Sequence, residues 1–343
     1  MDSILKWITS VLLVFKSVTP TPITPTPTLL QPEPLTIEKI FSPDKNYNNI
    51  PSNQLITVIT TGDVVPARSV NFKMTSYNDF TYPFRKTADL LKSADLTLIN
   101  LEAPLIPDCP LTNSGMIFCG NSRFIEGLTF AGIDVATVGN NHALNYGHDR
   151  LTQTVRLLEK NGIVSAGFSP DTLSNLAVKE IKNKKIGTLA YNILDNPDKN
   201  IILSEIRSAE SEVDFLIVAY HWGAEYTNYP ANKTIQLARD SIDNGADFIA
   251  GNHPHWIQPI EIYKNKLIIY SHGNFIFDQE WSRQTKTGII VKSYIYNDKI
   301  VDAQFIPILI SDYSQPAILT GKDKNDVLHL LRDISRQLED KNR

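Results

Sequence analysis

The chain has 343 residues, 42% of them hydrophobic and 20% charged, so it can bury one large core or two modest ones and is neither fibrous nor wholly disordered. Its formal net charge of -4 lacks the basic excess of a nucleic-acid-binding surface, which argues against nucleic acid as a partner.

The N-terminus predicts export. Ile4 to Val18 is mostly apolar but interrupted by Lys6 and Lys16, and it falls short of the about 20 apolar residues of a membrane-spanning helix. Residues 1–18 therefore read as a signal segment or an uncleaved membrane anchor. The alternation of Pro and Thr from Thr19 to Thr28 gives an extended, solvated spacer, and a linker is expected over 19–54. A globular head over 55–321 and a C-terminal helix over 322–343 complete the layout.

From Leu55, short apolar runs separated by helical stretches predict an α/β domain. The β-branched run Leu55 to Thr61 is a buried strand ending at Gly62-Asp63. A helix near Phe84 to Lys92 leads to the strand Leu96 to Leu101, which ends at Glu102. Cys109 and Cys119 follow in a stretch rich in Pro, Asn, Ser and Gly, where they suit either a disulfide closing a short loop or two packed thiols. No second Cys pair or nearby His completes a zinc site there. A helix around Phe124 to Ala131 precedes the strand Val135 to Val138 and the segment Gly139-Asn140-Asn141-His142. A helix from His148 to Asn161 leads to a short strand at Ile163 to Ala166. Further strands are expected at Ala177 to Ile181, Ile186 to Tyr191, Phe215 to Tyr220 and Phe248 to Ala250. Beyond them, Ile260 to Tyr263, Leu267 to Tyr270 and Gly288 to Tyr296 are joined through turns such as Lys264-Asn265 and Asn297-Asp298. Helices fit Ile201 to Ser211, Asn232 to Asn244 and Asp326 to Gln337. The shift from strand-helix alternation to consecutive strands predicts a parallel or mixed sheet facing a second, more antiparallel one, with helices outside.

The polar residues of interest fall where apolar strands stop, the place where loops converge on a ligand in α/β sheets. Five strand ends do this: Gly62-Asp63, Asn100-Leu101-Glu102, Asn140-Asn141-His142, His221-Trp222-Gly223-Ala224-Glu225 and Gly251-Asn252-His253-Pro254-His255. Each alone reads as a turn, a cap or a solvated acid. Together they gather four of the seven histidines with an Asp, a Glu and an Asn, and oxygen and imidazole donors without thiolate suit Mn, Fe, Zn or a similar divalent ion. In extended backbone, residues two apart point the same way, so His253 and His255 are expected to face one site while Pro254 stiffens the chain between them.

The segments Gly62-Asp63-Val64-Val65-Pro66-Ala67-Arg68, Asn100-Leu101-Glu102-Ala103-Pro104-Leu105 and Asn140-Asn141-His142-Ala143-Leu144-Asn145-Tyr146-Gly147 resemble successive motifs of the CapA, or poly-γ-glutamate capsule-synthesis, family. So do His221-Trp222-Gly223-Ala224-Glu225-Tyr226, His253-Pro254-His255-Trp256-Ile257-Gln258 and Gly273-Asn274-Phe275-Ile276-Phe277-Asp278-Gln279, in the same order along the chain. That family is similar in turn to calcineurin-like metallophosphoesterases. The resemblance implies a four-layer α-β-β-α sandwich of two mixed sheets flanked by helices, and a site for two divalent metal ions of the Mn, Fe or Zn class. It implies metal ligation by Asp63, Glu102, Asn141, His221, His253 and His255, with Glu102 in the place of the bridging carboxylate. His142 would be the proton donor to a leaving group. Arg68 would either hold an anionic oxygen of the substrate or form a salt bridge.

Two positions depart from the pattern. The phosphoesterases carry Asp-x-His on the first strand, where this chain has Asp63-Val64-Val65, and many CapA-like chains carry an acid where this one has Asn145. The resemblance implies an extracytoplasmic protein of the bacterial cell envelope, membrane-anchored or secreted. Its expected reaction is hydrolysis or transfer by a metal-bound water during assembly of an envelope polymer such as γ-linked polyglutamate. The rival expectations are a phosphoester substrate and a non-catalytic, membrane-tethered subunit of a polymer-synthesis or export complex.

Overall fold

Aliphatic residues at period two build the two sheets, because successive side chains on a strand face opposite ways and both faces here must be covered. The computed structural model describes residues 33–171 and 175–341. The expected signal segment or anchor and the Pro/Thr-rich part of the linker lie outside the described residues. Among the described residues no helix is long and apolar enough to cross a membrane.

In chain order the strands are β1 (Ile56–Val64), β2 (Leu96–Leu101), β3 (Leu105–Ile106), β4 (Gly120–Asn121), β5 (Val135–Thr137) and β6 (Val164–Ala166). They continue with β7 (Ala177–Ile181), β8 (Lys184–Asn192), β9 (Phe215–His221), β10 (Phe248–Asn252) and β11 (Ile260–Tyr263). The last are β12 (Lys266–Ile269), β13 (Asn274–Ile276), β14 (Thr287–Tyr296), β15 (Lys299–Ser311) and β16 (Gln315–Ile318). The first sheet runs β16-β15-β14-β1-β2-β5-β6, with β13 also paired to β1, and the second runs β11-β12-β10-β9-β8-β7. Both are mixed: β1, β2, β5 and β6 are parallel to one another, as are β8, β9, β10 and β12.

The antiparallel strands do not segregate into the second sheet as the sequence pattern suggests. β14 pairs antiparallel with β1 and, with β15 and β16, extends the first sheet. Period-two hydrophobicity shows that a segment is a strand, but which sheet edge it joins depends on contacts across the fold. The 13-residue β15, for which the sequence offers only the preceding turn, is long because it is covered on both faces.

Alternation is clearest at the centre. Val58, Leu96, Leu98, Ile217, Phe248 and Ala250 meet in the core between the sheets. Ile59, Ile99 and Leu101 turn outward beneath the helices Phe124–Ala131 and Gly147–Lys160, whereas Leu216, Val218 and Ile249 turn outward beneath Lys199–Glu210 and Asn232–Asp243. The result is the expected α-β-β-α sandwich. The helix Ser69–Tyr77, absent from the sequence expectations, follows β1 directly; it carries few apolar residues in periodic positions and buries only Val70, Asn71 and Met74.

The linker is shorter than its composition suggests. Leu35, Ile37 and Ile40 are buried in the core between the sheets, beside Val327, Leu331 and Ile334 of the C-terminal helix Gly321–Lys341. Thr36 caps the short helix Ile37–Ile40 by accepting from Lys39 N at 3.1 Å. Three buried aliphatic side chains outweigh the Pro-rich context, so the folded head reaches back at least to Leu35 rather than beginning at Leu55.

Close approach of backbones fixes the carboxyl end of β10. A Cβ on Gly251 would lie 2.2 Å from Tyr270 O and 2.6 Å from Ile269 O, both immovable backbone atoms. Gly251→Ala is therefore expected to cost about 3 kcal/mol or more in a thermal or denaturant melt, a loss no neighbouring rotamer can relieve. A variant that melts with the wild type would show that the two strands can separate freely.

Candidate metal centre

The parallel strands of both sheets end at the same edge of the sandwich, and the polar residues sit where the core between the sheets runs out. On β2, Leu96 and Leu98 face inward, so Asn100 and Glu102 follow on the same face. On β9, Phe215 and Ile217 face inward and His221 continues that row. Strict alternation from Val58 would turn Asp63 outward. A one-residue slip in the β1–β2 register, between the pairs Thr60↔Leu98 and Asp63↔Asn100, turns it inward instead.

Asp63, Glu102, His142, His221, His253 and His255 are all buried at this edge. Asp63, Glu102 and His221 each offer a donor atom within 4.8 Å of one another, as do Glu102, His253 and His255. Glu102 is common to both groups, with its Oε1 3.5 Å from His221 Nε2 and 4.0 Å from His142 Nε2. The rings of His221 and His253 are 4.7 Å apart and those of His253 and His255 5.8 Å apart.

The two histidines of His253-Pro254-His255 converge, but not through extended backbone. His253 has φ 96° and His255 φ 58°, so the chain leaves β10 through a left-handed turn that folds both rings back over the strand end. Non-glycine residues held there cost about 1–3 kcal/mol each and persist where surrounding structure dictates them.

Hydrogen bonds orient the set. Asp63 Oδ1 accepts from Asn100 Nδ2 at 2.8 Å, and Asp63 Oδ2 accepts from His253 N at 3.3 Å. His255 Nδ1 lies 3.1 Å from Asp63 Oδ2 and 2.8 Å from Asn274 Oδ1, and two acceptors require that nitrogen to carry a proton. Asn274 is held by its own Nδ2, which donates to Thr285 O and Gln279 Oε1. Asn145 Oδ1 accepts from Phe118 N at 2.6 Å, which identifies that atom as the oxygen, so His142 Nδ1 at 2.9 Å donates to it and Nε2 faces Glu102. An amide at 145 thus fixes the tautomer of His142 without supplying charge.

The electrostatics follow from burial. Burial alone would raise the Asp63 carboxyl, but the hydrogen bond and charge of His255 outweigh it and hold Asp63 at about 2. Burial and the charge of Asp63 push Glu102 well above the ordinary carboxyl value. Burial depresses His142, and lowers His221 to about 4 and His253 to about 3. For His255 burial is overcome by the bond to Asp63 and the charges of Glu102 and Asp63, which raise it to about 9.

A metal would answer a defect in this arrangement. Glu102 Oε1 and Oε2, Asn141 Oδ1, His221 Nε2, Asn252 Oδ1 and His253 Nδ1 are buried and make no hydrogen bond within the protein, each an arrangement costing about 1–3 kcal/mol. These six are half of the twelve such side-chain atoms among the described residues; the four oxygens are lone-pair donors, and the two imidazole nitrogens become so when the ring proton sits on the other nitrogen. Cations would satisfy them together, so the residues present fit a divalent-metal site. By contrast His272, buried to the same degree, has Nδ1 at 2.9 Å from Gly251 O and Nε2 at 2.8 Å from Thr60 Oγ1, which leaves it no free nitrogen.

Arg68 stands apart. Its guanidinium is paired with Asp278, donates to Gly115 O at 3.2 Å, and lies 4.9 Å and 5.0 Å from the ring centres of Phe118 and Phe277. Those rings in turn contact His142 at 4.1 Å and His255 at 5.2 Å, so two aromatic side chains link Arg68 to the cluster. Val65, the position without an imidazole, is buried in the same apolar group with Ala67, Ala103, Phe118 and Phe277. Cys109 and Cys119 are joined in a disulfide, which anchors the loop whose Phe118 packs on His142. Asn100, Asn145 and Asn274 stand within the motifs but carry no sequence signal of their orienting role. Glu225, half-buried, is a further such residue, since its charge acts on His142, His221, His253 and His255.

Comparison with known proteins agrees with this picture. The chain is 27% identical to "Capsule biosynthesis protein CapA" of Bacillus anthracis over 83% of its own length and 75% of that protein's. It is 27% identical to "PGA biosynthesis protein CapA" of Bacillus subtilis over 83% of its length and 79% of that protein's. A hypothetical protein from Thermus thermophilus shares the fold, with a TM-score of 0.51 over 74% of this chain and 98% of that one at 15% identity. The profile of the bacterial capsule synthesis protein PGA_cap family matches residues 57–279, which span every element of the cluster just described, and the chain belongs to that family.

Proposed function

We propose that this protein is a divalent-metal-dependent hydrolase or transferase acting on an anionic polymer of the bacterial cell envelope, with γ-linked polyglutamate as the leading substrate. The observation that carries the reading is the group of buried lone-pair donors without hydrogen bonds around Glu102. The names of the two Bacillus relatives support the polymer. An N-terminal segment that enters or crosses the membrane would keep the head on the outer side of the cytoplasmic membrane, where such a polymer is assembled.

Asp63, Glu102, Asn141, His221, His253 and His255 would hold the metal, with Glu102 common to both groups of donors. Bound there, divalent cations supply an activated water and neutralise charge developing on an acyl or phosphoryl oxygen. His142 turns Nε2 towards Glu102, so that nitrogen, once protonated, would hand its proton to the leaving group while Asn145 holds Nδ1. Phe118 and Phe277 keep bulk water from the histidines they pack against.

Elemental analysis of the purified chain, wild type and His253→Ala/His255→Ala, tests the proposal together with assays on γ-linked polyglutamate and a generic phosphodiester. Bound transition metal and polymer cleavage or transfer are expected in the wild type, and both are lost in the variant. Turnover of the phosphodiester alone would replace the polymer by a phosphoester. Metal without turnover of either would replace catalysis by polymer binding in a tethered subunit.

A further inference from the structure

Asn252 has no place among the residues assigned above, yet its side-chain Oδ1 is one of the six buried atoms without a hydrogen bond. It is the last residue of β10 and is 7% exposed overall. On β10, Phe248 and Ala250 face the core between the sheets, so Asn252 faces the same way. β10 and β9 are parallel with Asn252 in register with His221. In-register residues on neighbouring parallel strands present their side chains to one face about 5 Å apart. His221 Nε2 is 3.5 Å from Glu102 Oε1, and the ring of His253, the residue after Asn252, lies 4.7 Å from that of His221. Asn252 is thus set between two histidines of the candidate centre with an amide oxygen that nothing in the protein satisfies. Apart from Asn141, already among the candidate ligands, Asn100, Asn140 and Asn274 at this edge differ: their Oδ1 atoms accept from Asn140 Nδ2, His142 N and His255 Nδ1 respectively.

We propose that Asn252 is a further ligand of the metal centre, giving its Oδ1 to the ion beside His221 and His253. The inference rests on the metal reading above. β1 offers one donor, Asp63, because Val65 is turned into the apolar group around Phe118; the second sheet supplies the additional oxygen in its place. Two carboxylates and two amides then stand with the imidazoles, a donor set rich in hard oxygen that suits Mn²⁺ better than softer ions.

The test is equilibrium dialysis of Mn²⁺ against the metal-stripped whole chain, for wild type, Asn252→Ala and Asn252→Asp, with a thermal melt of each metal-free protein. The wild type is expected to bind Mn²⁺, and Asn252→Ala to bind one ion at least about tenfold more weakly without a loss of metal-free stability. Asn252→Asp, which keeps an oxygen at the same reach and adds charge, is expected to recover or exceed wild-type affinity. An amide with only a structural role predicts the reverse for the aspartate. Wild-type affinity in Asn252→Ala, or an aspartate variant as weak as the alanine, overturns the inference and leaves the metal centre intact. A wild type that takes up no Mn²⁺, Fe²⁺ or Zn²⁺ overturns the metal reading itself.

Discussion

Glu102→Gln is expected to abolish metal binding and turnover while making the metal-free protein more stable. Glu102 is the residue shared by both groups of candidate ligands, and neither of its oxygens has a hydrogen bond in the folded protein. A buried carboxylate without a partner opposes folding when it carries its charge. Removing its charge should therefore return about 1–3 kcal/mol to the metal-free state. The pH dependence has a definite sign. Because burial and Asp63 raise the folded value of Glu102, its favourable contribution holds at low pH and fades as pH rises from the ordinary 4.5 through that raised value. The advantage of Glu102→Gln should accordingly be absent in acid and open towards neutral pH. Melts of chelator-treated protein at several pH values, beside metal analysis, check both halves. Equal melts at neutral pH would mean that the carboxylate is satisfied by something other than a cation.

His142→Asn is expected to leave metal content unchanged and to lower kcat by about 10²–10⁴, the usual contribution of a positioned proton donor. The separation of the two effects follows from geometry. His142 Nε2 stands 4.0 Å from Glu102, farther than His221, and its Nδ1 is bound by Asn145. An Asn at 142 keeps a polar group against Phe118 but cannot exchange a proton near neutral pH. Loss of metal in this variant would make His142 a ligand and remove the proton donor from the scheme. A kcat within a few-fold of wild type would mean that the leaving group departs unaided or takes its proton from solvent.

Much of the candidate centre is legible in the order of the amino acids. Asp63, Glu102, Asn141, His142, His221, His253 and His255 sit at strand ends, and runs such as Leu96 to Leu101 announce their strands by composition, so the residue types and their places at the sheet edge are local facts. The helix Phe124–Ala131 and the strands Ala177–Ile181 and Ile260–Tyr263 have the expected bounds for the same reason: their periodicity and their ending turns lie within a few residues. Leu35, Ile37 and Ile40 are hidden by the opposite circumstance, an apolar trio inside a Pro-rich stretch whose burial depends on the helix at the other end of the chain.

Sequence by itself determined the two-period and helical patterns, the α/β class and the donor types that could meet a metal, because these depend on neighbours along the chain. Only the tertiary structure decided the rest. It brought β14 to β1, slipped the β1 register so that Asp63 turns inward, and bent His253 and His255 through positive φ. It also tied Arg68 to Asp278 and left Asn252 bare beside His221. Each of those outcomes is set by contacts between residues far apart in sequence, where a hydrogen bond made or left unmade depends on what the other sheet presents.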